Sequence, residues 1–205
     1  MSSASLTNFT VPLATNQSAS SQGLLMPKLK YRFRITFENF GVSSDVTELT
    51  KQVVKCGRPT VKFDPIIIHA YNSQVNLLGK PSWAEIAVTI RDDALGNVSR
   101  LVGEQMQKQF DFQEQSSAAS GADYKFLTRI EMLDGGNGSY TPNILETWEC
   151  YGCMVTDTKY GDLDYSQNDP VTIDLSIKMD NALQIPSGTG IGTQVGRTLG
   201  TMITT

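Results

Sequence analysis

Alternation of apolar and polar residues, with a period of two, recurs along this chain and commits most of it to half-buried strands. Tyr31, Phe33, Ile35 and Phe37 alternate with Arg32, Arg34 and Thr36. Ala84, Ile86, Val88 and Ile90 alternate with Glu85, Ala87, Thr89 and Arg91. Val171, Ile173, Leu175, Ile177 and Met179 alternate with Thr172, Asp174, Ser176, Lys178 and Asp180. Successive side chains of a strand point to opposite faces, so each run has one wet face and one dry face. Tyr124 to Leu133 and Trp148 to Thr156 read as two further strands, and shorter extended pieces fit Val53–Cys56, Thr60–Phe63, Ile66–Ala70 and Gln74–Leu78.

One segment changes period. Val98, Leu101, Val102, Met106 and Phe110 fall at helical spacing, with Asn97 placed to cap the start. The pattern therefore predicts a mainly β protein: an antiparallel β-sandwich or barrel with one amphipathic helix packed on it. Asp134-Gly135-Gly136-Asn137-Gly138 predicts a tight turn, and Gln113 to Ala122 a surface loop.

The 205 residues suffice for one domain with extensions. Residues 1–27 carry no charge, and residues 185–205 are rich in Gly and Thr, with Arg197 the sole charge. The expected organisation is an N-terminal extension (1–27), a β domain (28–184) and a C-terminal extension (185–205). Uncharged extensions can be buried against another chain with little charge desolvation. The longest aliphatic run is Ile66-Ile67-Ile68, far short of a membrane helix. With Lys28 the first basic residue, no charged n-region of a secretory signal is read. Three cysteines suit free thiols in a reducing cytoplasm. A formal charge of -4 argues against a protein that grips nucleic acid by neutralising phosphates.

Candidate chemistry is sparse. Cys150 and Cys153 have CxxC spacing but lie within a strand-like run, where residues three apart are expected on opposite faces. They are read as structural thiols that Cys56 could approach. His69 is the lone histidine, follows three isoleucines, and has no nucleophile elbow to serve. Gly192-x-x-x-Gly196-Arg197-Thr198 lacks the spacing and the lysine of a phosphate loop. Asp162-x-Asp164-x-Ser166-x-Asn168 lacks the glycine and the closing glutamate of a calcium loop. No catalytic, metal or cofactor site is assigned. Polar-faced strands, bare ends and the lack of a pocket motif point to a protein that works by assembling.

Pro81-Ser82-Trp83-Ala84-Glu85-Ile86-Ala87-Val88-Thr89-Ile90-Arg91-Asp92-Asp93 resembles the Trp-led strand of tail tube proteins of contractile-tailed bacteriophages, with Asn97 to Phe110 as the helix that follows. Cys56-Gly57-Arg58-Pro59-Thr60-Val61 and Tyr71-Asn72 are similar to the family's upstream segment and turn. Trp148 to Val155, Tyr160-Gly161-Asp162-Leu163-Asp164-Tyr165-Ser166 and Val171 to Asp180 resemble its C-terminal region. The ordered matches span residues 28 to 184. The chain departs from the family in its two extensions, and in Met154-Val155, where an aromatic-Pro pair often stands.

The resemblance implies a virion structural subunit, not an enzyme. Its copies would form hexameric rings with a continuous inner β-barrel, stacked into a tube that conducts viral DNA after sheath contraction. Implied partners are further copies of the chain, the sheath, baseplate and tail terminator proteins, a tape measure protein in the lumen, and DNA passing without specific binding. No cofactor and no membrane anchor are implied. The place implied is the virion tail, assembled in the host cytoplasm. Glu85, Thr89, Thr172, Asp174 and Ser176 become lumen candidates, with Ile86, Val88, Ile173, Leu175 and Ile177 packed beneath the helix. Ser5, Leu6, Phe9, Ile191 and Val195 become candidates for contacts between subunits or rings. The alternative is the tube of a related contractile injection system, type VI-like, carrying protein effectors.

Overall fold

The computed structural model describes residues 27–42, 47–135, 142–185 and 190–192. The described residues fall into two units, one up to Arg32 and one from Phe33 onward. In the described part of the first, Arg32 N–H donates to Leu29 O at 3.2 Å, and the Arg32 guanidinium lies 5.4 Å from the centre of the Tyr31 ring. The expected extensions at 1–27 and 185–205 lie almost wholly outside the described residues.

The second unit runs β1 (Phe33–Glu38), α1 (Thr47–Gln52), β2 (Val53–Cys56), β3 (Val61–Phe63), β4 (Ile66–Ala70), β5 (Ser73–Leu77), β6 (Pro81–Trp83) and β7 (Ile86–Arg91). It continues with α2 (Asn97–Gln109), β8 (Phe110–Asp111), β9 (Ser116–Ser117), α3 (Gly121–Tyr124), β10 (Phe126–Leu133), β11 (Ile144–Tyr160), β12 (Thr172–Lys178) and β13 (Asn181–Ile185). Every described pairing is antiparallel.

The 17-residue β11 organises the unit because two sheets share it. Its first half pairs with β10 on one side and β13 on the other, and β10 pairs in turn with β1. Its second half pairs with β12, followed in order by β7 and β2. The change of sheet occurs at Gly152, where the backbone takes φ +65° and the β10 register slips by one residue. A glycine adopts that conformation without the clash a Cβ would bring.

The dry faces meet as the alternation predicts. Ile86, Val88, Ile90, Ile173, Leu175 and Ile177 are all buried, in one core with Val98, Leu101 and Val102 of α2. Each such aliphatic side chain contributes roughly 1.5–3 kcal/mol through burial.

Several expectations are corrected. Asn97 does not cap α2; Gly96 precedes it at φ +71°, and the Asp93 carboxylate accepts Val98 N–H (2.9 Å) and Asn97 Nδ2 (3.0 Å). Those hydrogen bonds, the Val98 one foremost, hold the Asp93 carboxyl below its usual range. Phe110 is not on the helix, which ends at Gln109; it begins β8 and is 36% exposed. The helix is not single, since α1 and α3 flank it. The strand predicted from Tyr124 starts at Phe126, because Ser120 caps a short helical turn whose last residue is Tyr124. The strand β13 escaped prediction.

Candidate functional site

The strands β2, β7, β12 and the second half of β11 form a four-stranded sheet with one wet face. Cross-strand partners share a face, so the register assigns its side chains directly. Lys55 pairs with Thr89, Thr89 with Asp174, Asp174 with Lys159, and Arg91 with Thr172. Ala87 pairs with Ser176, and Ser176 with Asp157. Thr89, Thr172, Asp174 and Ser176 therefore lie together on one face, and Thr89 Oγ1 donates to Asp174 Oδ1 at 2.5 Å. Glu85 is exposed immediately before β7. Basic Lys55, Arg91, Lys159 and the half-buried Lys178 intersperse with acidic Glu85, Asp157 and Asp174, so the chain's negative balance is not concentrated on this face. Acid gathers instead on the segment 161–170, where Asp162, Asp164 and Asp169 are exposed with no basic residue among them.

A second surface is the β4–β5 hairpin, continued at its base by β3 and β6. Register puts Ile66 opposite Leu77, Ile68 opposite Val75 and Ala70 opposite Ser73 on one side. Ile67 and His69 face Asn76 and Gln74 on the other. The hairpin is thus amphipathic, yet Ile66, Ile68, Val75 and Leu77 are each between 47% and 56% exposed. An isolated two-stranded hairpin is marginal in water, and one with an open aliphatic face needs a covering surface. His69 sits on this hairpin, exposed.

Of the residues expected at subunit contacts, Ser5, Leu6, Phe9 and Val195 lie outside the described residues. Ile191 is 40% exposed, and its carbonyl accepts Gln184 N–H at 2.7 Å, which ties residues 190–192 to β13.

The cysteines correct a prediction. Cys150 and Cys153 do not face opposite ways; both are fully buried. The extra residue at the Gly152 bulge resets the parity, so Trp148 and Cys150 before it and Cys153 and Val155 after it all point inward. All three thiols are free. Burial pushes Cys56 up to about 12 and raises Cys150 and Cys153 as well, the reverse of an activated nucleophile.

Sequence reasoning also missed the polar ties across the sheets. Glu146, 3% exposed, accepts hydrogen bonds from Arg58, from Trp148 Nε1 (2.5 Å) and from Gln184 Nε2 (3.0 Å). On the other sheet's outer face, Arg129 bridges Glu38 (2.9 Å) and Glu149 (3.1 Å). Glu149 is held below the carboxylate range first by the Tyr151 hydroxyl and then by Arg129. These are charge-compensating ladders. Among the described residues no group of three His, Cys, Asp or Glu is placed to hold a metal ion, and no helix is long and apolar enough to cross a membrane. One open groove of about 540 Å³ lies between Gln52, Asp93 and Arg100, and another of about 500 Å³ along Gly161–Thr172.

No family model and no curated protein matches the sequence. Solved structures do match. They include the anti-feeding prophage cap, described as its tube-terminating cap, at 14% identity and TM-score 0.57, over 80% of this chain and 93% of that one. A chain from the sheath/tube terminator of the extracellular contractile injection system PVC matches at 13% identity and TM-score 0.57, over 80% of this chain and 100% of its own. A chain from the PVC sheath-tube complex in its extended state matches at 14% identity and TM-score 0.55, over 83% and 99%. The protein has the fold found in the tube and terminator assemblies of contractile injection systems.

Proposed function

We propose that this chain is a structural subunit of the tube of a contractile tail, joining with its own copies into hexameric rings that stack. The observation that carries this reading is the β4–β5 hairpin, whose aliphatic face of Ile66, Ile68, Val75 and Leu77 is covered by nothing described in its own unit. A second copy supplies the missing cover. The shared fold with tube and terminator assemblies supports the same reading.

In the ring, Glu85, Thr89, Thr172, Asp174 and Ser176 line the lumen. Ser5, Leu6, Phe9, Ile191 and Val195 contribute to contacts between subunits or rings. In the phage reading the tube sits inside a sheath between baseplate and terminator, encloses a tape measure protein during assembly, and conducts DNA into the host. A lumen whose charges of both signs are interspersed gives a polyanion no run of cations to hold it.

The interspersed charges also favour a second reading, a tube that carries protein effectors. Overall charge repels DNA from a lumen only where the lumen itself is acidic, and this face mixes both signs. Negative-stain electron microscopy of the purified protein, with light scattering over a concentration series, tests the common element. Hollow rings or tubes of uniform diameter are the expected result; a monomer at every concentration would move the protein to a soluble β binding module.

A further inference from the structure

The four-stranded sheet ends in two unlike edges. Among the described residues, β2 has a strand partner only in β7, and β11 from Thr156 to Tyr160 only in β12. Unpaired edges invite pairing with another chain. Strand directions alternate from β2 through β7 and β12 to β11, so β2 and β11 run opposite ways. Copies set side by side in the same orientation therefore meet in an antiparallel joint, β2 against β11, without a break in the alternation.

Side-chain faces narrow the register. On β2, Val53 and Cys56 pair with the buried Ile90 and Val88, while Lys55 pairs with Thr89 on the wet face. On β11, Thr158 and Tyr160 pair with the buried Leu175 and Ile173, while Asp157 and Lys159 share the wet face. A continuous wet face then places Lys55 opposite either Asp157 or Lys159, since an odd slip would turn the dry face out. Like charges directly opposite are destabilising and opposite charges favourable. Lys55, Asp157 and Lys159 are all exposed, and no ion pair joins any of them to another described residue.

We infer that β2 of one copy adds to the Thr156–Tyr160 edge of the next, with Lys55 against Asp157 setting the register. This rests on the self-assembly reading above and names its joint. Of the two symmetric alternatives, charge disfavours one and the other is incomplete. Pairing β2 with a second β2 sets Lys55 against its own copy, and pairing β11 with β11 leaves β2 open. The head-to-tail joint occupies both edges of every copy, and such joints close into a ring when the rotation permits.

The test is a charge-reversal set in the full-length chain, read by light scattering and electron microscopy. Lys55→Glu alone and Asp157→Lys alone are each expected to raise the concentration needed for assembly by about tenfold or more. An equimolar mixture of the two restores assembly, because alternating copies set the introduced glutamate against the introduced lysine at one joint and Lys55 against Asp157 at the next. The double variant Lys55→Glu/Asp157→Lys restores it on its own. Circular dichroism of each single variant keeps loss of assembly distinct from loss of fold. Wild-type rings with unaffected single variants, or singles not rescued by mixing, overturn this joint and leave the ring reading standing. A wild-type chain that never assembles overturns both.

Discussion

The side-chain amide of Gln109 pairs with both backbone groups of Val155: Val155 N–H donates to Gln109 Oε1 at 2.9 Å, and Gln109 Nε2 donates to Val155 O at 2.9 Å. The last β10–β11 register pair is Phe126 with Cys153, so the helix supplies two ladder hydrogen bonds just past the point where the strand partner ends. One turn earlier on α2, the fully buried Gln105 accepts Gly41 N–H (2.8 Å) and donates to Tyr124 O (2.8 Å).

Gln109→Leu should therefore destabilise the fold by about 2 kcal/mol, since it strands a donor and an acceptor that lie away from bulk water. Gln109→Glu keeps the acceptor but turns a second oxygen toward Val155 O, and should not rescue. Denaturant unfolding at concentrations below assembly measures both; a shifted midpoint with an unchanged slope is the expected signature.

Gly152 marks the next weak point. A Cβ there would run into the Asp180 carboxylate, in a backbone conformation that side chains rarely adopt. Asp180 is held in place by Lys125 Nζ at 2.5 Å, and its own N–H donates to Tyr151 O at 3.0 Å. Gly152→Ala should cost about 2–4 kcal/mol. Asp180→Gly in the same chain should recover the steric part and leave the roughly 1–2 kcal/mol of backbone strain. A double-mutant cycle by denaturant unfolding separates the two.

The same glycine shows what was legible in the sequence and what was not. In β7 and β12 one face is dry and one wet throughout, so Ile86 to Ile90 and Ile173 to Ile177 announced both strand and core. In β11 the parity resets at Gly152, and equal counting of faces put Cys150 and Cys153 on opposite sides. A lone glycine inside a strand pattern is itself a bulge signal, and it was present to be read. Gln105 and Gln109 gave no comparable sign: their partners, Gly41 and Val155, are 64 and 46 residues away. The β13 strand has one fully buried side chain, Ala182, too little for a periodic signal. The hairpin's strands were legible from their β-branched residues; that its aliphatic face stays open is a fact of tertiary structure alone.

Thiol burial sets a pH dependence. Cys56 is pushed up to about 12 by burial from an ordinary 9.0, and burial raises Cys150 and Cys153 too. A raised folded-state value means the native chain holds protons that the unfolded chain releases. The associated stability is complete below about pH 9 and is lost as pH rises from there toward 12. Unfolding midpoints should fall between pH 8.5 and about 10.5, and Cys56→Ala should lessen the slope. At pH 8 the native thiols should react with an aromatic disulfide at least about 100-fold more slowly than in denaturant, where thiolates form and are reachable.

The hairpin separates assembly from folding. Ile68 and Val75 face each other across β4–β5, each about half exposed, and neither belongs to the buried core. Replacing both with threonine keeps the β-branched shape that suits a strand but removes two methyl-bearing apolar surfaces and adds hydroxyls. Because the changed atoms are solvent-facing in the single chain, its unfolding free energy should move by no more than about 0.5 kcal/mol. On the proposed assembly the same atoms are buried at a joint, and each substitution then loses roughly 1 kcal/mol of apolar contact there. The expected outcome is an assembly concentration raised by at least about tenfold, with circular dichroism and melting of the dissociated chain unchanged. Equal assembly by Ile68→Thr/Val75→Thr would show that the hairpin lies outside the joints and would remove the observation on which the tube reading rests. Loss of folding together with assembly would show instead that the face is covered within a single chain.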